Sequence, residues 1–168
     1  GVPPLIALCS GQDINSKGEA CRALANLTVN PDMHQLLIKE GVLQPMVNAL
    51  NCNDLNCQRF ASLCLANLST TIAAQVKVIQ AGAIRPLINL TLNPHNQIEA
   101  RRYSVLALAN LTSTTANHMT IIEDGGLQAL FSLCNGADLM SQYYVGCALA
   151  NLSCNIANHH IIVEKGGL

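Results

Sequence analysis

One amide recurs at a fixed interval along this 168-residue chain, and that interval decides what the chain can fold into. Asn26, Asn67, Asn110 and Asn151 stand in near-copies of a single phrase, "ALANLT", "CLANLST", "ALANLTS" and "ALANLSC", spaced by 41, 43 and 41 residues. Gly41, Gly82, Gly125 and Gly166 keep the same intervals, as do His34, Gln75, His118 and His159, eight residues after each Asn. Self-similarity at this period is the signature of a solenoid, in which each unit buries its apolar face only against its neighbours. A lone Asn inside an apolar helix is mildly unfavourable. Four in one phase therefore answer to something outside their own helix.

Each period divides into three helical segments. The first is short ("MHQLLIKE", "AQVKVIQA", "NHMTIIED", "NHHIIVEK") and ends at a column glycine, the residue that suits a left-handed helix C-terminus. The second opens after that glycine, with Pro45 and Pro86 in the first turn, where proline is tolerated. The third is the longest, expected over 15–28, 55–69, 97–112 and 139–153, with Asp54, Asn96 and Asp138 as candidate N-caps.

These residues resemble the armadillo repeat: a Gly before an apolar-Pro helix, then a third helix with a Gln, an Ala and a Leu-x-Asn-Leu ending. Gln58, Ala61 and Leu65–Leu68 match that third helix, as do Gln142 and Leu149–Leu152. The resemblance covers the whole chain. It implies an all-α, right-handed superhelical solenoid with three helices per repeat. The expected units are a partial repeat at 1–30, repeats at 31–71, 72–115 and 116–155, and a partial repeat at 156–168. Within the family the style looks most like the vacuolar-type scaffolds, and more distantly like the β-catenin and importin-α types.

Helix geometry orients the Asn column. At 100° per residue, the positions six and two before the Asn and one after it form one stripe, Ala61, Leu65 and Leu68 in the second unit. That stripe faces the core. The Asn, with the positions four and eight before it, points the other way, toward the concave surface that solenoids use to bind partners. An Asn side chain both donates and accepts, matching a peptide N–H and C=O, and the resemblance implies the same role. The alternative is that the amides bridge adjacent third helices. Candidate groove residues are Asn26, Asn67, Asn110 and Asn151, then Arg22, Leu63 and Leu106 four before, and Arg59, Arg102 and Tyr143 eight before. The Trp that grips basic cargo in import receptors is absent from the chain, which argues against an import signal as ligand. The arginines, joined by Arg101, instead favour a neutral to acidic extended segment of a partner protein.

Composition closes other readings. Only 11% of residues are charged and the net charge is −1, so no electrostatic footprint favours nucleic acid. No apolar run has the length of a membrane span. Low charge, with an opening "GVPPLIAL" and a closing "EKGGL", leads us to expect a segment of a longer array. Eight scattered cysteines fit core positions in a reducing, cytoplasmic setting, with any attachment to a membrane's cytoplasmic face left to parts outside this segment. The histidine column advances along the solenoid, so its members cannot share a metal, and neither metal nor other cofactor is expected. The Asn-Leu-Ser/Thr matches to a glycosylation acceptor are by-products of the repeat. The function expected is therefore a non-catalytic interaction scaffold. An architectural spacer, or the substrate-recruiting module of a larger protein such as a ubiquitin ligase or import receptor, is the alternative.

Overall fold

The computed structural model describes residues 1–167, which form an all-helical array with no strand among them. The long third helices are α2 (Ile14–Leu27), α5 (Leu55–Leu68), α8 (Ile98–Leu111) and α11 (Leu139–Ser153). The second helices are α1 (Val2–Cys9), α4 (Leu43–Leu50), α7 (Ile84–Leu92) and α10 (Gly126–Leu133). The short first helices are α3 (His34–Lys39), α6 (Ile72–Gln80), α9 (His118–Glu123) and α12 (His159–Ile162), the last running into a π-helical turn, Val163–Gly167. All but α6 are led in by a single 3₁₀ turn.

Two rows of helices make the body. The third helices stack in sequence, α2 on α5, α5 on α8 and α8 on α11, while each second helix packs on its own third helix and on its neighbours in the second row. The stripe read from the sequence lies in the core: Ala61, Leu65 and Leu68 are fully buried, with Leu24, Leu108 and Leu152 at equivalent positions. Only small residues let these helices approach closely, and the positions just before the Asn, Ala25, Ala66 and Ala109, are buried between successive third helices.

The turns follow from local chemistry. Gly41, Gly82 and Gly125 take φ of 89°, 79° and 94°, the left-handed region that only glycine enters without a Cβ penalty. The first two close Schellman motifs, with Val42 N–H donating to Leu37 C=O at 3.1 Å and Ala83 N–H to Val78 C=O at 3.4 Å. Asp13, Asp54 and Asp138 cap the third helices, accepting from the backbone N–H of Ser16 (2.7 Å), Cys57 (2.7 Å) and Ser141 (3.0 Å). The expected cap at Asn96 is corrected. The N-cap is Gln97, thirteen residues before Asn110 as Asp54 and Asp138 stand before Asn67 and Asn151, but it makes no side-chain capping bond, and Asn96 Nδ2 instead donates to Leu90 C=O at 3.2 Å.

Candidate binding groove

Helix ends leave carbonyls without partners, and in this chain the recurrent polar side chains answer them. Asn110 Nδ2 donates to Ala66 C=O at 3.0 Å, an orphan acceptor in the last turn of the preceding α5. Asn151 Nδ2 reaches Ala109 C=O and Thr112 Oγ1, both at 3.3 Å, at the end of α8. Asn67 Nδ2 donates to Thr28 Oγ1 at 3.1 Å, at the end of α2. Each of these amides bridges to the third helix before it. Asn26 is exposed, with no third helix before α2 among the described residues.

That contact uses one edge of each carboxamide. The Oδ1 atoms of Asn67, Asn110 and Asn151 are neither among the sealed, unpartnered polar atoms nor acceptors for any described residue. They are left for another donor, and Asn67 and Asn110 each keep a second amide N–H, whereas Asn151 uses its Nδ2 twice. The row thus holds the third helices together on one edge and offers acceptors on the other.

The column eight residues after the Asn has a capping task. His34, His118 and His159 place Nε2 at 2.8 Å from the C=O of Thr28, Thr112 and Ser153, and Gln75 Nε2 lies 3.0 Å from Ser69 C=O. A carbonyl only accepts, so each ring carries its proton on Nε2. The opposite ring edge receives the next unit: Asn158 Nδ2 donates to His118 Nδ1 at 2.9 Å, and Asn117 Nδ2 to Gln75 Oε1 at 3.2 Å. Among the described residues no three His, Cys, Asp or Glu side chains converge as metal ligands.

Beside the Asn row, Leu63, Leu106 and Cys147 are half-buried at the positions four before it, and Arg22 there is exposed and paired with Glu19. The column eight before turns further round, toward the following third helix. A Cβ on Gly18 would meet Asn56 Cβ at 3.6 Å, and Arg102 binds both oxygens of the Asp138 cap, Nε at 3.1 Å and Nη2 at 2.5 Å. That guanidinium holds the Asp138 carboxyl well below the usual carboxylate range. Tyr143, last in the column, is exposed on the far face of α11. Arg59 sits over the Phe60 ring, 5.4 Å from guanidinium carbon to centroid, with Nε buried and unpartnered. Arg101 Nε donates to Thr91 C=O at 3.2 Å, away from the groove.

A row absent from the expectation lies seven residues before the Asn: Phe60, Tyr103 and Tyr144, each half-buried. Seven residues are 20° short of two full turns, so these rings flank the Asn on its own face. The signal was present in the spacing. The buried cysteines are packing residues: burial pushes the Cys57 and Cys64 thiols up to about 12, and its hydrogen bond to Cys9 together with burial raises Cys21.

Comparison with known proteins agrees with this geometry. The family model described as "Armadillo/beta-catenin-like repeat" matches residues 1–29. Among curated protein sequences no significant match is found. A computationally designed armadillo repeat protein for modular peptide recognition superposes with a TM-score of 0.95 at 27% identity, over 99% of this chain and 71% of that one. A designed armadillo repeat protein in complex with the peptide (KR)4 gives a TM-score of 0.91 at 28% identity, over 98% of this chain and 70% of that one. Another engineered protein gives 0.92 at 27% identity, over 99% and 70%. No helix among the described residues is long and apolar enough to cross a membrane.

Proposed function

We infer that this chain, whose helices superpose on designed armadillo repeat proteins and whose residues 1–29 match the armadillo model, is a non-catalytic scaffold whose concave face holds an extended segment of a partner protein. The units that carry the groove are those at 31–71, 72–115 and 116–155. The observation behind this reading is the half-used amide row. Asn67, Asn110 and Asn151 are held at a fixed orientation by the helix before them, with Oδ1 accepting from no described residue. An acceptor fixed in place beforehand costs a ligand little ordering entropy. An extended chain advances about 6.6–6.8 Å per two residues, and third helices sit about 8–10 Å apart. Each amide can then take a peptide N–H every two or three residues. Similarity to a designed armadillo repeat protein solved in complex with the peptide (KR)4 supports peptide binding by an array of this fold.

The lining sets the ligand class. Phe60, Tyr103, Leu63 and Leu106 offer aromatic and aliphatic contact to alternate side chains. Arg22 and Arg102 already have acidic partners, whereas Arg59, at the edge of this face beside the following third helix, has none for its Nε and can attract a carboxylate there. The segment we propose is therefore apolar and neutral to weakly acidic. A peptide selected from a random library should shift the side-chain amide NMR signals of Asn67, Asn110 and Asn151 on binding. Selection of Lys- and Arg-rich peptides, or binding that leaves those three signals in place, would contradict the reading.

A further inference from the structure

The joints between complete units can be compared position by position, because the repeat puts equivalent residues at each and further helices lie beyond them on both sides. The joint between 72–115 and 116–155 is tied at several points across its width. Arg102 Nε donates to Asp138 Oδ2 at 3.1 Å near the starts of the third helices. Arg85 Nε donates to Asp124 Oδ1 at 2.7 Å, where the second helix of one unit meets the first helix of the next. Asn117 Nδ2 donates to Gln75 Oε1 at 3.2 Å between the first helices, and Asn151 Nδ2 to Ala109 C=O at 3.3 Å between the third. The joint before it, between 31–71 and 72–115, has the same positions without most of the contacts. Arg59 and Gln97 stand where Arg102 and Asp138 pair, and Arg59 Nε and Gln97 Oε1 are both sealed and unpartnered. Gln44 and Ala81 stand where Arg85 and Asp124 pair, and Gln44 Nε2 turns to Asn48 Oδ1 of its own helix at 3.1 Å. His34 and Ala74 stand where Gln75 and Asn117 meet, and His34 Nδ1 is sealed and unpartnered. Away from the connecting turn, the side-chain hydrogen bond left between these two units among the described residues is Asn110 Nδ2 on Ala66 C=O at 3.0 Å.

We infer that the joint between 31–71 and 72–115 is a hinge of the array. Its two sides are held by the packing of α5 on α8 around Cys64, Leu65, Ala66, Leu68, Ala107 and Leu108. Apolar burial is non-directional, so it resists separation of the helices more than their rotation against each other. Hydrogen bonds weaken steeply with angle, so the pairs at the following joint fix how 116–155 sits on 72–115. Units 72–115 and 116–155 then move as one body against 31–71, with Asn110 and Ala66 as the pivot. A small rotation there redirects the concave face beyond Asn67 while the amide row stays joined. The motion belongs to the free chain and does not depend on what the concave face holds.

Residual dipolar couplings of the backbone N–H groups, measured on the whole chain in a weakly aligning medium, test this. Couplings from the helices of 31–71 should fit one alignment tensor and those of 72–155 another of different magnitude, with 72–115 and 116–155 sharing theirs. Gln44→Arg, Ala81→Asp and Gln97→Asp together rebuild the missing pairs, and should bring all three units to a single tensor. Asp124→Ala with Asp138→Asn removes the ion pairs of the following joint and should separate 116–155 from 72–115. Circular dichroism checks that each variant keeps its helices. A single tensor for all three units in wild type, or a break at the following joint and not at this one, overturns the hinge without recourse to any variant. Two tensors that persist in the rebuilt, folded variant would equally overturn it, since the missing pairs would then not be what frees the joint.

Discussion

His34 offers a stability test that rests on the repeat register alone. Its Nδ1 is buried and unpartnered, while His118 Nδ1, one column further on, accepts from Asn158 Nδ2 at 2.9 Å. The residue that should serve His34 stands at position 74, which is a buried alanine where the later units have Asn117 and Asn158. Ala74→Asn should supply two hydrogen bonds, one to His34 Nδ1 and one to Leu68 C=O, because Asn117 and Asn158 each donate at 2.8 Å to the equivalent Leu111 and Leu152 carbonyls. At about 0.5–1.5 kcal/mol each, less about 1 kcal/mol for fixing the side chain, the net gain is about 1 kcal/mol. For a chain of this length that raises the melting temperature by about 2–4 °C. The assay is thermal and urea unfolding followed by circular dichroism, in wild-type and His34→Leu backgrounds. The gain should fall to about zero with His34→Leu, since only the Leu68 carbonyl then accepts and one bond of about 0.5–1.5 kcal/mol is offset by about 1 kcal/mol for fixing the side chain. An equal gain in both backgrounds, or a loss in the wild-type one, refutes the ladder.

Two further substitutions read the cap column. Gln97→Asp should restore the missing cap on α8 and give Arg59 a carboxylate where Arg102 has Asp138, stabilising by about 0.5–2 kcal/mol in urea unfolding. No gain would show that Arg59 and the α8 terminus are not adjacent in the way Arg102 and Asp138 are. Asp138→Asn keeps a good cap but breaks the ion pair with Arg102, costing about 1 kcal/mol at neutral pH. Because the folded Asp138 carboxyl lies below its ordinary value of 3.8, that contribution is complete above about pH 4 and is lost as pH falls through the folded value. Wild type should therefore lose more stability than the variant on acidification below pH 4, and parallel pH profiles would refute the pairing.

The helices and the core stripe were legible because they depend on one period and on residue type alone. The third helices fall within a residue or two of the expected spans, and left-handed turns sit at Gly41, Gly82 and Gly125, whereas Gly166 lies within the π-helical turn Val163–Gly167. Asp54 and Asp138 were readable as caps; the Asn register also points to position 97, thirteen before Asn110, but residue type favoured Asn96 over Gln97 as a cap. The groove was half legible. Helix geometry gives the angle of a side chain about its own axis, but not where the neighbouring helix stands. Positions at similar angles therefore divide between solvent and the next third helix. Arg102 falls on the helix side of that division and Leu106 on the open side, which only packing decides. The amides gave the same ambiguity. An Asn that can reach a ligand can also reach an orphan carbonyl, and here its nitrogen does the latter.

That double use is what the most direct measurement must separate. Asn67→Ala with Asn110→Ala removes two bridges between third helices, so the variant should melt lower than wild type. Affinity for a library-selected peptide is then measured by calorimetry and expressed per folded molecule, with the folded fraction taken from circular dichroism. Two lost peptide hydrogen bonds at about 0.5–1.5 kcal/mol each predict binding weaker by about 5- to 150-fold. A variant that melts lower yet binds with wild-type affinity per folded molecule would show that the amides serve only the helices, and that the groove holds its partner by other means or not at all.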